Sequence, residues 1–206
     1  MFLNKTALCK EYNRRKKCNK IFVAGIEHGV GATHFSILLA NYRANILKEK
    51  VAIVDFNKDS DYIFLGNILE NQDVEKGFLI DKVSYYPCVT SDFLEEIFLK
   101  DYDCIIIDAG DSYLKYRMEA GLCDIRYLIL STSLWKSTVL QTKYQEYFSK
   151  YKNFEWRFLY CFGGSKEAKN IEKLFGKRLY RIPFIENPYR IERNNLDAVK
   201  SVIGEV

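Results

Sequence analysis

Prolines number only three in 206 residues, and together with the eleven glycines they form no cluster that reads as a linker. Internal repeats and low-complexity tracts are missing as well, so the sequence marks no boundary between domains and a single core is expected. No apolar run approaches the eighteen or so residues that would cross a bilayer. The basic residues near the N-terminus are not followed by the apolar stretch of a secretory signal, which leads to the expectation of a cytoplasmic protein. The six cysteines (Cys9, Cys18, Cys88, Cys104, Cys123 and Cys161) are scattered without a C-x-x-C pair, several of them inside apolar runs. This spacing argues against a metal site and fits reduced thiols used as core filler.

What the chain does have is an uneven charge. The net +4 conceals seven basic residues against one acid, Glu11, within residues 1–20. The other 186 residues carry 24 basic and 26 acidic side chains. The expected organisation is therefore a basic arm over residues 1–19 and one domain over 20–206. Such an arm can touch nucleic acid or an anionic membrane, or can be a solvated leader.

Short apolar runs recur at Ile21–Ile26, Val51–Phe56, Cys104–Asp108, Tyr127–Thr132, Trp156–Phe162 and Leu179–Ile182. Continuous rather than alternating apolarity is the pattern of strands covered on both faces. Helical spacing separates them, as in Phe35, Leu38, Leu39, Tyr42 and Ile46 within Thr33–Lys48. Asp92 followed by Glu95 predicts a capping box ahead of Phe93, Leu94, Ile97 and Phe98. Lys136–Lys150, Lys166–Phe175 and Asn195–Ile203 read as further helices, and Phe78–Pro87 as a hairpin or edge element. Strands alternating with helices give an α/β fold: a doubly wound, mostly parallel sheet with helices on both faces.

The segment Ile21–His34 runs from a strand through Gly25, Gly29 and Gly31 straight into a helix. Glycines let backbone N–H groups face one concavity, and the helix N-terminus adds its positive dipole end, so the turn can cradle phosphate. Val30-Gly31-Ala32-Thr33 and the preceding Gly29 resemble the deviant Walker A loop of the MinD/ParA family, whose core runs Lys-Gly-Gly-Val-Gly-Lys-Thr. Gly29, Val30, Gly31 and Thr33 match. Glu27 stands at the signature lysine, His28 at the first glycine of the pair and Ala32 at the Walker lysine.

The resemblance continues along most of the chain from Lys20. Asp55 matches the first acid of the family's Asp-x-Asp, with Asn57 in place of the second. Cys104–Asp108 looks like Walker B. Pro183 corresponds to the segment near the nucleotide base, whereas Cys161–Gly164 lacks the asparagine commonly used to read adenine. Gly31–His34, Val83–Pro87, Tyr102–Gly110 and Ser133–Lys136 are most similar to the atypical CpaE/TadZ branch associated with Flp/Tad pilus assembly.

The resemblance implies a cofactor, ATP with Mg²⁺, held by Gly29, Val30, Gly31, Ala32, Thr33, His34, Asp55, Asp108 and Pro183, with Thr33 and Asp108 on the metal. The departures imply the opposite, that no nucleotide is turned over and even that none binds. The two lysines offset phosphate charge, and the second acid orients the attacking water. The family also implies protein partners and a homodimer. The sequence expectation is thus a pseudo-ATPase serving as a binding or positioning scaffold, with no catalytic residue. An ATP-dependent dimerisation switch and a DNA- or membrane-associated partition protein are the alternatives. His28 and His34, the only two histidines, flank the loop. A protonated imidazole there would restore part of the lost charge. Trp135, Tyr85 and Tyr86 are either partner-binding aromatics or core.

Overall fold

The computed structural model describes residues 17–57, 60–68, 76–133, 136, 140–145 and 154–204. Most of the expected arm, residues 1–16, and Trp135 lie outside the described residues. Among the described residues eight strands build one sheet: β1 (Asn19–Gly25), β2 (Val51–Asp55), β3 (Phe78–Ile80), β4 (Val83–Tyr86), β5 (Cys104–Asp108), β6 (Ile125–Leu130), β7 (Arg157–Tyr160) and β8 (Leu179–Arg181). Their order is β3-β4-β2-β5-β1-β6-β7-β8. All neighbours pair in parallel except β3 and β4, which form an antiparallel hairpin at one edge. The helices are α1 (Ala32–Asn45), α2 (Asp61–Ile68), α3 (Ser91–Phe98), α4 (Arg117–Gly121), α5 (Ser165–Phe175) and α6 (Leu196–Ile203), and residues 140–145 are also helical.

The two faces of the sheet carry separate cores, and residues alternate between them along each strand. Ile21, Val23, Ile53, Ile106 and Tyr127 pack with Phe35, Leu38 and Tyr42 of α1 and with Val199, Val202 and Ile203 of α6. Phe22, Val54, Ile105, Ile107 and Leu128 pack on the other face with Leu94 and Ile97 of α3 and Ala168 and Phe175 of α5. Burial on both faces explains why the central strands read as unbroken apolar runs.

Helix α1 is buried almost all round from Phe35 to Ala44. Ile182 and Ile185, beyond β8, belong to the same core cluster. The helix ends at Asn45, short of Lys48, and Ile46 is 38% exposed rather than part of the buried face. The Arg43 guanidinium, paired with Glu49 at 2.7 Å and largely buried, ties the end of α1 to the chain entering β2. Helix α3 is capped by Thr90, whose hydroxyl accepts from the Phe93 amide at 3.4 Å; Asp92 sits in the first turn and is not the cap. A threonine in extended backbone already supplies the acceptor that the expected Asp92–Glu95 box would have supplied. Tyr85 is fully buried, stacked on Phe78 at 5.3 Å, and Tyr86 is 7% exposed, so both are core residues.

Candidate functional site

β1 lies between β5 and β6, and the chain leaves it for α1 and then β2, which sits beyond β5. Here the strand order changes direction, and in open α/β sheets the carboxyl ends of the strands at such a point form a crevice. A cavity of about 640 Å³ opens there. Its lining comes from the loop Glu27–Thr33, from Asp55, Phe56 and Asn57 after β2, and from Gly110, Asp111, Ser112, Lys115 and Tyr116 after β5, with Phe162 at one side. Neighbouring it, a second cavity of about 620 Å³ is lined by Ser131–Ser133, Lys136, Phe162–Gly164 and Glu167.

The loop is shaped by two glycines that no other residue replaces without strain. Gly29 has φ 74° and Gly31 φ 96°. A Cβ on Gly31 would stand 2.9 Å from Cys161 Sγ, so Cys161, at the start of the segment that lacks the adenine-reading asparagine, packs against the turn. The Gly25 amide donates to Gly110 O at 2.6 Å and the Ile26 amide to Ile129 O at 2.8 Å, which fixes the strand end between both neighbours. α1 starts at Ala32, so the amides of Ala32, Thr33 and His34 belong to its first turn and have no intrahelical carbonyl. Such amides are anion donors.

Asp55 and Asp108 end adjacent strands in direct register and are 1% and 0% exposed. Ser60 Oγ donates to Asp55 Oδ2, while the Asn57 amide and side chain both donate to Oδ1 at 2.8 Å. Tyr62 Oη donates to Asp108 Oδ2 and the Gly110 amide to Oδ1, each at 3.0 Å. Burial, and then the negative charge of Asp108, push the Asp55 carboxyl up to about 7 against the pull of Ser60 and Asn57. Burial likewise raises Asp108, opposed by the Gly110 amide and by the hydroxyls of Thr33, Tyr62 and Ser36. Two buried carboxyls that resist ionising side by side are chemically suited to a divalent cation, which would relieve both desolvation and repulsion.

The expected residues do not all converge. Gly29, Val30, Gly31, Ala32, Thr33 and Asp55 line the cavity; Asp108 lies just beneath it, in register with Asp55. His34 and Pro183 line neither cavity. His34 donates to the Ile185 carbonyl, and its half-burial lowers its pKa below the ordinary histidine value, which works against the positive charge needed to stand in for a lysine. His28 does line the cavity.

Three features were not anticipated. Glu27, at the signature lysine position, is paired within the chain to Lys136 at 3.2 Å, and Lys143 donates to Ile26 O at 2.9 Å, so two lysines brace the loop from behind β6. Asn57, in place of the second acid, points its amide at Asp55. Ser60 and Tyr62, which hold the two carboxyls, sit at the start of α2; a serine ahead of a helical run was the available signal, and it went unread because α2 was not expected.

No protein-family profile matches the chain, and no curated protein does. Solved structures do. A plasmid partition protein from Borrelia burgdorferi, bound to AMPPNP, superposes with a TM-score of 0.63 at 17% identity, over 91% of this chain and 98% of that one. A ParA family ATPase from Chlorobium tepidum gives 0.54 at 16% identity, over 90% of each chain. MinD in the MinC:MinD complex of Aquifex aeolicus gives 0.60 at 15% identity, over 92% and 97%. The chain therefore has the fold of ParA- and MinD-type proteins, and its candidate site lies at the switch point of that fold.

Proposed function

We propose that this chain is a pseudo-ATPase: it takes a nucleotide-type phosphate ligand, ATP with Mg²⁺ being the natural candidate, without turning it over, and serves as a binding or positioning module. The carrying observation is the composition of the cavity wall. A glycine turn and helix start remain, together with Thr33 and the Asp55–Asp108 pair, while Ala32, Glu27 and Asn57 occupy the positions of the two lysines and the second acid. Phosphoryl transfer depends almost wholly on positioning and charge stabilisation, and those are the functions missing here.

Thr33, Asp55 and Asp108 would hold the metal, which when bound would neutralise phosphate charge. The backbone of Gly29–Thr33 would hold the phosphates, and the cavity around Phe162–Gly164 has room for the rest of a nucleotide. The AMPPNP seen in the Borrelia structure supports this reading, as does the likeness of the motifs to the CpaE/TadZ branch, from which we extend the proposal to a pilus or secretion assembly. Protein partners, a homodimer included, follow from the same likeness and from the MinC bound to MinD in the Aquifex complex. Any contact with nucleic acid or anionic membrane is assigned to the basic arm.

Thermal melting with and without Mg·ATP tests ligand binding, since a ligand at about 100 times its Kd stabilises the native state by about 2.7 kcal/mol. A raised midpoint that needs Mg²⁺, without phosphate release, is the expected outcome. An unmoved midpoint at millimolar Mg·ATP would refute nucleotide binding.

A further inference from the structure

Among the described residues three lysines approach the phosphate loop, and two are already committed. Lys136 neutralises Glu27 at 3.2 Å, and Lys143 is spent on the carbonyl of Ile26 at 2.9 Å. Lys115 is different: it is the one lysine among the described residues lining the larger cavity, and it reaches that cavity from the turn after β5 rather than from α1.

The turn that carries it is firmly built. The Ser112 amide donates to Ala109 O and the Lys115 amide to Ser112 O, both at 2.9 Å, so two successive turns follow Asp108 directly. Tyr116 then stacks on Phe56 at 4.5 Å and donates its hydroxyl to Phe56 O at 3.0 Å, which pins this turn to the end of β2. The Lys115 ammonium lies 4.9 Å from the centre of the Tyr116 ring. The side chain is exposed, so its charge carries little desolvation cost.

We propose that Lys115 is the phosphate-binding cation of this site, supplied within the chain from the β5–α4 turn in place of the lysine missing at Ala32. This rests on the reading of the cavity as a nucleotide site and names the side chain that makes such binding possible. A lysine arriving after β5 would meet the phosphates as a point charge and leave the Ala32 position apolar. It therefore supports binding without rebuilding the α1 cation that accompanies catalysis.

Calorimetric titration of the wild type, Lys115→Met, Lys115→Arg and Lys115→Glu with Mg·ADP and with inorganic pyrophosphate tests the assignment. Removing a charge-assisted contact is expected to weaken both ligands roughly tenfold in Lys115→Met. Lys115→Glu should lose more, and Lys115→Arg should stay within about threefold of wild type. Unfolding midpoints of all four proteins should agree, because the side chain is exposed. Wild-type affinity in Lys115→Met would overturn the assignment and leave the nucleotide site standing. Equal losses in Lys115→Met and Lys115→Arg would assign the effect to side-chain shape and also overturn it. A wild type that binds neither ligand would overturn both the assignment and the nucleotide site.

Discussion

Replacing Asp55 by asparagine keeps the shape of the buried carboxyl pair, removes the titration of one member and frees Asp108 from its charge. In the native chain burial and Asp108 raise Asp55 from 3.8 to about 7. A carboxyl whose folded pKa lies above its unfolded value binds a proton more tightly when folded. Its contribution to stability is therefore complete below the unfolded value and is lost as pH rises through the folded one. With these two pKa values, linkage gives a loss on the order of 2–3 kcal/mol between about pH 5 and pH 8. His34 acts in the opposite sense, its lowered pKa costing stability as pH falls below the ordinary histidine value, but both proteins carry it and it cancels. In Asp55→Asn the new carboxamide oxygen can still accept from Asn57, and its NH₂ group can donate to Ser60, so the local hydrogen bonds survive. Urea denaturation of both proteins at the two pH values measures the double difference. Asp55→Asn should gain on the order of 2–3 kcal/mol relative to wild type on going from pH 5 to pH 8, roughly 5–10 °C in Tm for a chain of this size. Parallel pH profiles for the two proteins would refute the description of the pair as carboxyls whose burial outweighs their hydrogen bonds.

Gly31→Ala places a side chain at φ 96° and against Cys161 Sγ at 2.9 Å. It should destabilise the fold by roughly 1–3 kcal/mol and abolish phosphate binding, with Cys161→Ala restoring part of the stability and none of the backbone strain. Ala32→Lys should strengthen Mg·ATP binding by roughly tenfold in a titration. Adding Glu27→Lys sets a second cation beside Lys136, so the double variant should gain less than the sum of its parts; no gain in either would count against the loop assignment. Tyr127→Phe removes the donor to the Ile203 carbonyl at 2.9 Å, beneath the end of α6, and should cost about 1 kcal/mol in chemical denaturation.

Much of the fold was legible because the sheet is buried on both faces. Cys104–Asp108 was readable residue for residue, since five consecutive apolar or strand-ending residues have no helical alternative at that length. Phe78–Pro87 could be read as a hairpin or edge element, and it is the β3–β4 hairpin. Less legible was α2, whose eight residues show no clear apolar stripe. The extent of α1 was blurred for the opposite reason: a helix buried almost all round loses the periodicity that marks its ends. At the site, the loop and the two aspartates stood out because glycine turns and strand-end carboxylates have local signatures. The Glu27–Lys136 pair and Lys115 did not, because they depend on which strand ends the topology brings together.

A single-turnover experiment, with protein in excess over γ-labelled ATP and Mg²⁺, bears most directly on the loss of catalysis alongside a surviving phosphate cradle. The expected result is that the nucleotide is retained on the protein while no labelled phosphate appears over hours. Metal-dependent release of phosphate within minutes would contradict it.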